Sequence, residues 1–159
     1  MPALSAGDHV RGPDDAPVAI VYADFECPFC AGLERRLAGL AVRTAFRHFP
    51  VHSKHPRAWA AAGAAEAAAR HGLFWEMHDS LFADQGRLED PHLWARAREL
   101  GLDVEEFETA RRSDEVTARV RRDFRGGVRA GVATTPTLFV GGRRLVGAEA
   151  GAALDALVD

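Results

Sequence analysis

Apolar and polar positions first fall into order at Val18-Ala19-Ile20-Val21-Tyr22-Ala23, an unbroken, β-branched run that reads as a buried central strand. Residues 1–16 show no period and are punctuated by Gly12-Pro13 and Ala16-Pro17, so they read as a lead-in. After Cys27 the spacing switches to three and four, with Cys30, Leu33, Leu37 and Leu40 on one helical face. Alternation returns from Thr44 to Phe49 and stops at Pro50, which predicts a second strand. From Pro56 to about Arg129 the pattern is helical almost throughout. One helix runs from about Arg57 to a stop at Gly72, and a second carries Phe74, Met77, Leu81 and Phe82. A third opens at Asp90-Pro91 with Asp90 as its cap, and a long Arg- and Glu-rich helix then reaches Gly126-Gly127. Thr137–Val140 and Arg143–Val146 flank Gly141-Gly142, a hairpin signal, and a last amphipathic helix holds Leu154, Leu157 and Val158.

Composition adds limits rather than chemistry. A chain of 159 residues, 47% apolar and 27% charged, is expected to form one soluble domain with a core that needs no staples. Its formal net charge of −3 offers no global positive field for nucleic acid. The Ala-rich run from Ala58 to Ala69 is interrupted by Gly63 and Glu66, so no membrane span is expected. The first residues lack the basic start and apolar run of a secretory leader, so the expected location is cytoplasmic unless a leader has been removed.

The two cysteines, Cys27 and Cys30, are the chain's only ones. A bridge between them closes a tiny loop and restrains the unfolded chain little, which leaves redox chemistry or metal ligation as its purpose. Only a thiolate attacks a disulfide, and Cys27 stands where a strand gives way to a helix, whose free N–H groups and dipole stabilise an anion. Pro28 suits the first helical position. Cys30 lies nearly one turn on and heads the Leu33/Leu37/Leu40 stripe, so it should be buried. Cys27 is thus expected to be the exposed nucleophile and Cys30 the resolving thiol. Zinc would need two further ligands, for which His52 and His55 offer a His-x-x-His, but these flank Ser53-Lys54 in a loop where solvated side chains are the simpler reading. No metal and no cofactor beyond the dithiol is expected.

In Thr134-Thr135-Pro136-Thr137 a proline stands immediately before the hairpin strand. Asp24-Phe25-Glu26-Cys27-Pro28-Phe29-Cys30 and the segment Gly131–Gly142 resemble the two signatures of the DsbA-like thioredoxin family. Phe46-Arg47-His48-Phe49-Pro50 and Phe74-Trp75-Glu76-Met77-His78-Asp79 extend the likeness over nearly the whole chain. The element order agrees: with the helical block set aside, strand–helix–strand followed by strand–turn–strand–helix is the thioredoxin order. The expected class is therefore α/β, a thioredoxin-like fold of about residues 1–55 and 130–159 with a helical insertion at about 56–129. The resemblance implies disulfide exchange with protein or small thiols and a redox-recycling partner, by a monomer. It also implies that Cys27 and Cys30 are the active pair, that Pro136 is a cis proline packed against them, and that Thr135 offers backbone groups to a bound peptide. Many relatives carry a buried acid on the strand entering the site. Val21 stands there in this chain, Asp24 and Glu26 face elsewhere on this reading, and the proton exchange of Cys30 is left to water.

Two other functions fit parts of the pattern: a redox-sensing or metal-binding module, and a glutathione-dependent transferase or isomerase on a related fold, against which the retained Cys-x-x-Cys counts. His48 reads as a satisfied strand histidine, and Trp59, Trp75 and Trp94 read as core. From Arg111 to Arg129 seven arginines face three acids, the mark of a solvated helix face, with a docking patch for an acidic partner as the alternative. Between the cysteines Pro28 brings no N–H and Phe29 brings a backbone N–H but no side-chain donor. The expected potential is intermediate, roughly −150 to −250 mV.

Overall fold

The computed structural model describes residues 1–158, the side chains of Leu157 and Val158 excepted, so the expectation for those two lies outside the described residues. Leu154, on the same helix, is fully buried.

The apolar run forms β2 (Val18–Ala23), the centre of a five-stranded sheet ordered β1-β3-β2-β4-β5. β2 runs parallel to β3 (Arg43–His48), with Val21 opposite Phe46, and antiparallel to β4 (Thr137–Val140), with Val21 opposite Leu138. Both faces of β2 are covered, which is why its sequence is continuously apolar instead of alternating. Ala19, Val21 and Ala23 point into the larger core with Phe46 and Leu138, while Ile20 and Tyr22 join Ala45, Phe49 and Phe139 on the opposite face. β4 and β5 (Arg143–Val146) form the expected hairpin, with Gly141 and Gly142 both at positive φ as a tight two-residue turn requires.

Residues 1–16 are not wholly irregular. His9–Arg11 form β1, antiparallel to β3 at the sheet edge. Its three residues carry one apolar side chain, too little for a readable period, and long-range polar contacts hold it. Arg47 donates to Asp8 at 2.8 and 2.9 Å, and His9 Nε2 meets Glu66 at 2.8 Å.

α1 (Pro28–Ala38) follows Cys27 directly and ends at Gly39, so Leu40, expected on its stripe, lies just past the helix and is half-buried. Five helices then separate β3 from β4. α2 (Ala58–Ala69) is buried on nearly every side, as its alanines allow, and α3 (Phe74–Ala83) buries Phe74, Met77, Leu81 and Phe82. In α4 (Asp90–Glu99) the capping position belongs to Glu89, one residue before Asp90, with no side-chain cap; the Asp90 carboxylate instead pairs with Arg57, Arg111 and Arg112.

The long helix expected next is two, α5 (Val104–Arg111) and α6 (Asp114–Arg129). Ser113 makes the break: its hydroxyl donates to Ala110 O at 2.7 Å and accepts from Val116 N–H at 3.2 Å, closing one helix and opening the next. α6 also runs through Gly126-Gly127 instead of stopping there. Its arginines divide, which corrects the reading of one solvated face. Arg121, Arg122, Arg125 and Arg129 are exposed, whereas Arg111 on α5 is buried against Glu108 and Arg119 lies near Glu66 and Asp123. α7 (Ala150–Val158) closes the chain. Among the described residues no helix is long and apolar enough to cross a membrane.

Candidate active site

Cys27 is the N-cap of α1, in extended conformation, and Pro28 occupies the first turn, where a missing N–H leaves nothing unpaired. The Cys27 carbonyl accepts from the N–H groups of Cys30 and Ala31 at 3.1 and 3.3 Å, which sets the first turn under the sulfur. Both cysteines are free thiols. The Thr135–Pro136 peptide is cis, and Cys27, in its protonated form, donates to the Thr135 carbonyl at 3.6 Å, so residues 108 apart in the chain meet at the sulfur. That contact corrects one expectation: Cys27 is only 4% exposed, against 0% for Cys30. The loop carrying Thr135 roofs it. Pro28 and Phe29, by contrast, stand in solvent, Phe29 at 58% exposure.

The two sulfurs therefore differ in charge stabilisation more than in exposure. The Cys30 thiol donates a hydrogen bond to the Cys27 sulfur and, against the cost of burial, this bond, the N–H groups of Cys30 and Phe29 and the Thr135 side chain lower the Cys27 pKa to about 6. Burial pushes the Cys30 thiol well above its usual range, and donating to Cys27 raises it further. At neutral pH Cys27 is a thiolate and Cys30 a thiol, which is the asymmetry a nucleophile and a resolving group need.

Val21 is fully buried between Phe46 and Leu138, so no carboxylate occupies its place. The two nearby acids brace the loop. Asp24 gives its backbone N–H to the Cys30 sulfur at 3.5 Å, while its buried carboxylate accepts from Glu26 N–H, Val51 N–H and His55 Nδ1, each at 2.8 Å. Glu26 accepts from Arg57 N–H at 2.9 Å. His52 is exposed, but His55 is half-buried and bound to Asp24, not solvated. Among the described residues no group of three or more His, Cys, Asp or Glu side chains is arranged to hold a metal ion.

His48 is fully buried and its Nε2 meets Glu66 at 3.1 Å; Trp94 Nε1 donates to Glu108 at 2.8 Å, and Arg11 lies over the Trp75 ring at 4.3 Å. Two features of the site had no periodic signal in the sequence. Gln85, just past α3, donates to the carbonyls of Phe25 and Cys27 at 2.8 and 2.9 Å. Glu34, one turn beyond Cys30 on α1, is buried beside His78 Nε2 at 3.1 Å.

A thioredoxin family model (Thioredoxin_4) matches residues 4–159. The chain belongs to the thioredoxin family that this model describes. A thioredoxin-like oxidoreductase from Silicibacter pomeroyi superposes with a TM-score of 0.83 at 26% identity, over 96% of this chain and 91% of that one. The thiol–disulfide exchange protein alpha-DsbA2 from Wolbachia pipientis gives 0.83 at 19% identity, over 96% and 86%. In sequence the chain is 44% identical over 143 residues to a Na(+)/H(+) antiporter NhaA 1 of Salinispora arenicola, covering 86% of this chain and 22% of the antiporter. It is 46% identical over 147 residues to the NhaA antiporter of Herminiimonas arsenicoxydans, covering 88% and 23%. The chain thus spans under a quarter of the length of these curated relatives. The thioredoxin match covers the segment that carries Cys27 and Cys30.

Proposed function

We propose that this unit exchanges disulfides with protein or peptide thiols through Cys27, with Cys30 resolving the mixed disulfide and no cofactor beyond the pair. In the reducing direction the Cys27 thiolate attacks one sulfur of a substrate disulfide and expels the other as a thiolate. Cys30 then gives up its proton and attacks Cys27, releasing the second substrate thiol and leaving the Cys27–Cys30 disulfide. In the oxidising direction each bond is made and broken in reverse, and a recycling partner returns the pair to its starting state. Thr135, whose carbonyl meets the sulfur, and Pro136 beside it in the chain form the edge on which an extended peptide adds as a strand. The antiporter relatives carry a similar segment within a much longer chain, and this reading concerns the segment's chemistry alone.

The observation that carries the reading is the cap geometry of Cys27, with a pKa of about 6 beside a Cys30 held protonated. Equilibration in glutathione buffers, followed by acid quenching and mass analysis, tests it. A single two-electron transition between roughly −150 and −250 mV is expected. A pair that stays reduced, or stays oxidised, across the whole glutathione range refutes it.

A further inference from the structure

The loop after α3 reaches the dithiol from the helical block, and its position is built from below. Arg96, buried on α4, donates to the carbonyls of Asp84 (2.9 Å) and Arg87 and, through Nε, to Ser80 Oγ at 3.1 Å. Arg57 Nε donates to Leu88 O at 3.0 Å while Arg57 N–H bonds Glu26, so the same loop is laced to the active-site segment. Between these anchors stands Gln85. Its amide nitrogen has two protons, and two carbonyls take them: Phe25 at 2.8 Å and Cys27 at 2.9 Å. The Cys27 carbonyl is also the acceptor on which α1 begins, so Gln85 grips the peptide group at the origin of the helix.

We propose that Gln85 is a positioning residue for the dithiol: its amide fixes the Cys27 peptide so that the first N–H groups of α1 stay aimed at the Cys27 sulfur. The N–H groups of Phe29 and Cys30 are among the donors that stabilise the Cys27 anion. Released from Gln85, the first turn frays as helix ends do, and those donors spend part of their time bonded to water. A clamp that only held the loop together would change the unfolding midpoint and leave the sulfur's titration alone. Through Gln85 the helical block reaches the sulfur indirectly, by way of the Cys27 peptide group.

Gln85→Met keeps length and shape but removes both donors. In the reduced protein, thiolate absorbance followed against pH is expected to show the Cys27 pKa raised by about one unit, the equivalent of one or two net hydrogen bonds. Iodoacetamide labelling of Cys27 at pH 6 should slow roughly fivefold, because the thiolate fraction drops from about one half to about one tenth, and the difference should vanish near pH 8.5. A pKa within about 0.2 units of wild type overturns the proposal, whatever happens to the unfolding midpoint. Gln85→Asn, one methylene too short to reach both carbonyls, is the second variant, with a rise in the same direction expected. In the wild-type protein the Gln85 side-chain amide protons should shift in NMR spectra with the Cys27 midpoint. Amide signals that stay still through that titration overturn the proposal without any mutation. These readings report the sulfur's charge, so they stand or fall separately from the proposed exchange reaction.

Discussion

Phe29→His tests which residue sets the redox poise. Phe29 lies in the first turn of α1, 58% exposed, and supplies Cys27 with a backbone N–H but no charge. An imidazolium there stands about 7 Å from the sulfur, since residues two apart do not share a helix face. With an effective dielectric between about 40 and 80 for so exposed a side chain, the attraction is about 0.6–1.2 kcal/mol. That lowers the Cys27 pKa from about 6 by half to nearly one unit. The thiolate belongs only to the reduced form, so the couple becomes more oxidising by about 15–25 mV. Added salt should shrink both shifts, because the pair is in solvent. Thiolate absorbance against pH and a glutathione redox titration read the two quantities on the same samples. If neither moves, or the couple becomes more reducing, Phe29 does not set the poise and the electrostatic reasoning fails.

A matched pair of glycine substitutions on α6 tests the packing against the sheet. A Cβ on Gly127 would meet Phe49 at 2.7 and 2.9 Å and Tyr22 at 3.0 Å, so Gly127→Ala should cost about 1–2 kcal/mol in urea unfolding despite its better helix propensity. Gly126→Ala has room, its nearest contacts being 3.9 Å or more, and should stabilise by roughly 0.5–1 kcal/mol; the opposite order would contradict the described packing. Although burial opposes it, the bonds from His48 and His9 hold the Glu66 carboxyl well below its ordinary 4.5. A depressed carboxylate contributes stability above its unfolded value, and that contribution is lost as pH falls from about 4.5 through the folded value. Glu66→Gln should lower stability at pH 7 by about 1.5–3 kcal/mol and flatten the acid limb of the curve; an unchanged acid limb would show that Glu66 is not the group responsible.

Elements whose cause is local could be read directly. β2 is visible because a strand covered on both faces must be apolar throughout, and the β4–β5 turn because two glycines supply positive φ. The dithiol is visible because a short spacing and a strand-to-helix junction already dictate thiolate chemistry. What escaped depends on distant partners. β1 is held by Arg47 bonding Asp8 on its flank and by its own His9 meeting Glu66, not by a period. The α5–α6 break hangs on one hydroxyl inside a charged run, where helical spacing continues on both sides. Cys27 is covered by a loop 108 residues later, so no reading of its neighbours could tell that it is 4% exposed. Gln85 sits in a short polar loop, and its value lies wholly in which carbonyls face it.

The central claim is that Cys27 attacks and Cys30 resolves, and trapping tests it most directly. With Cys30→Ala, a peptide carrying one disulfide should be attacked but not released, and a mixed disulfide at Cys27 should accumulate and be mapped by mass spectrometry under non-reducing conditions. Cys27→Ala leaves a deeply buried thiol with its pKa raised and should trap nothing. Equal trapping by both variants, or by neither, contradicts the account.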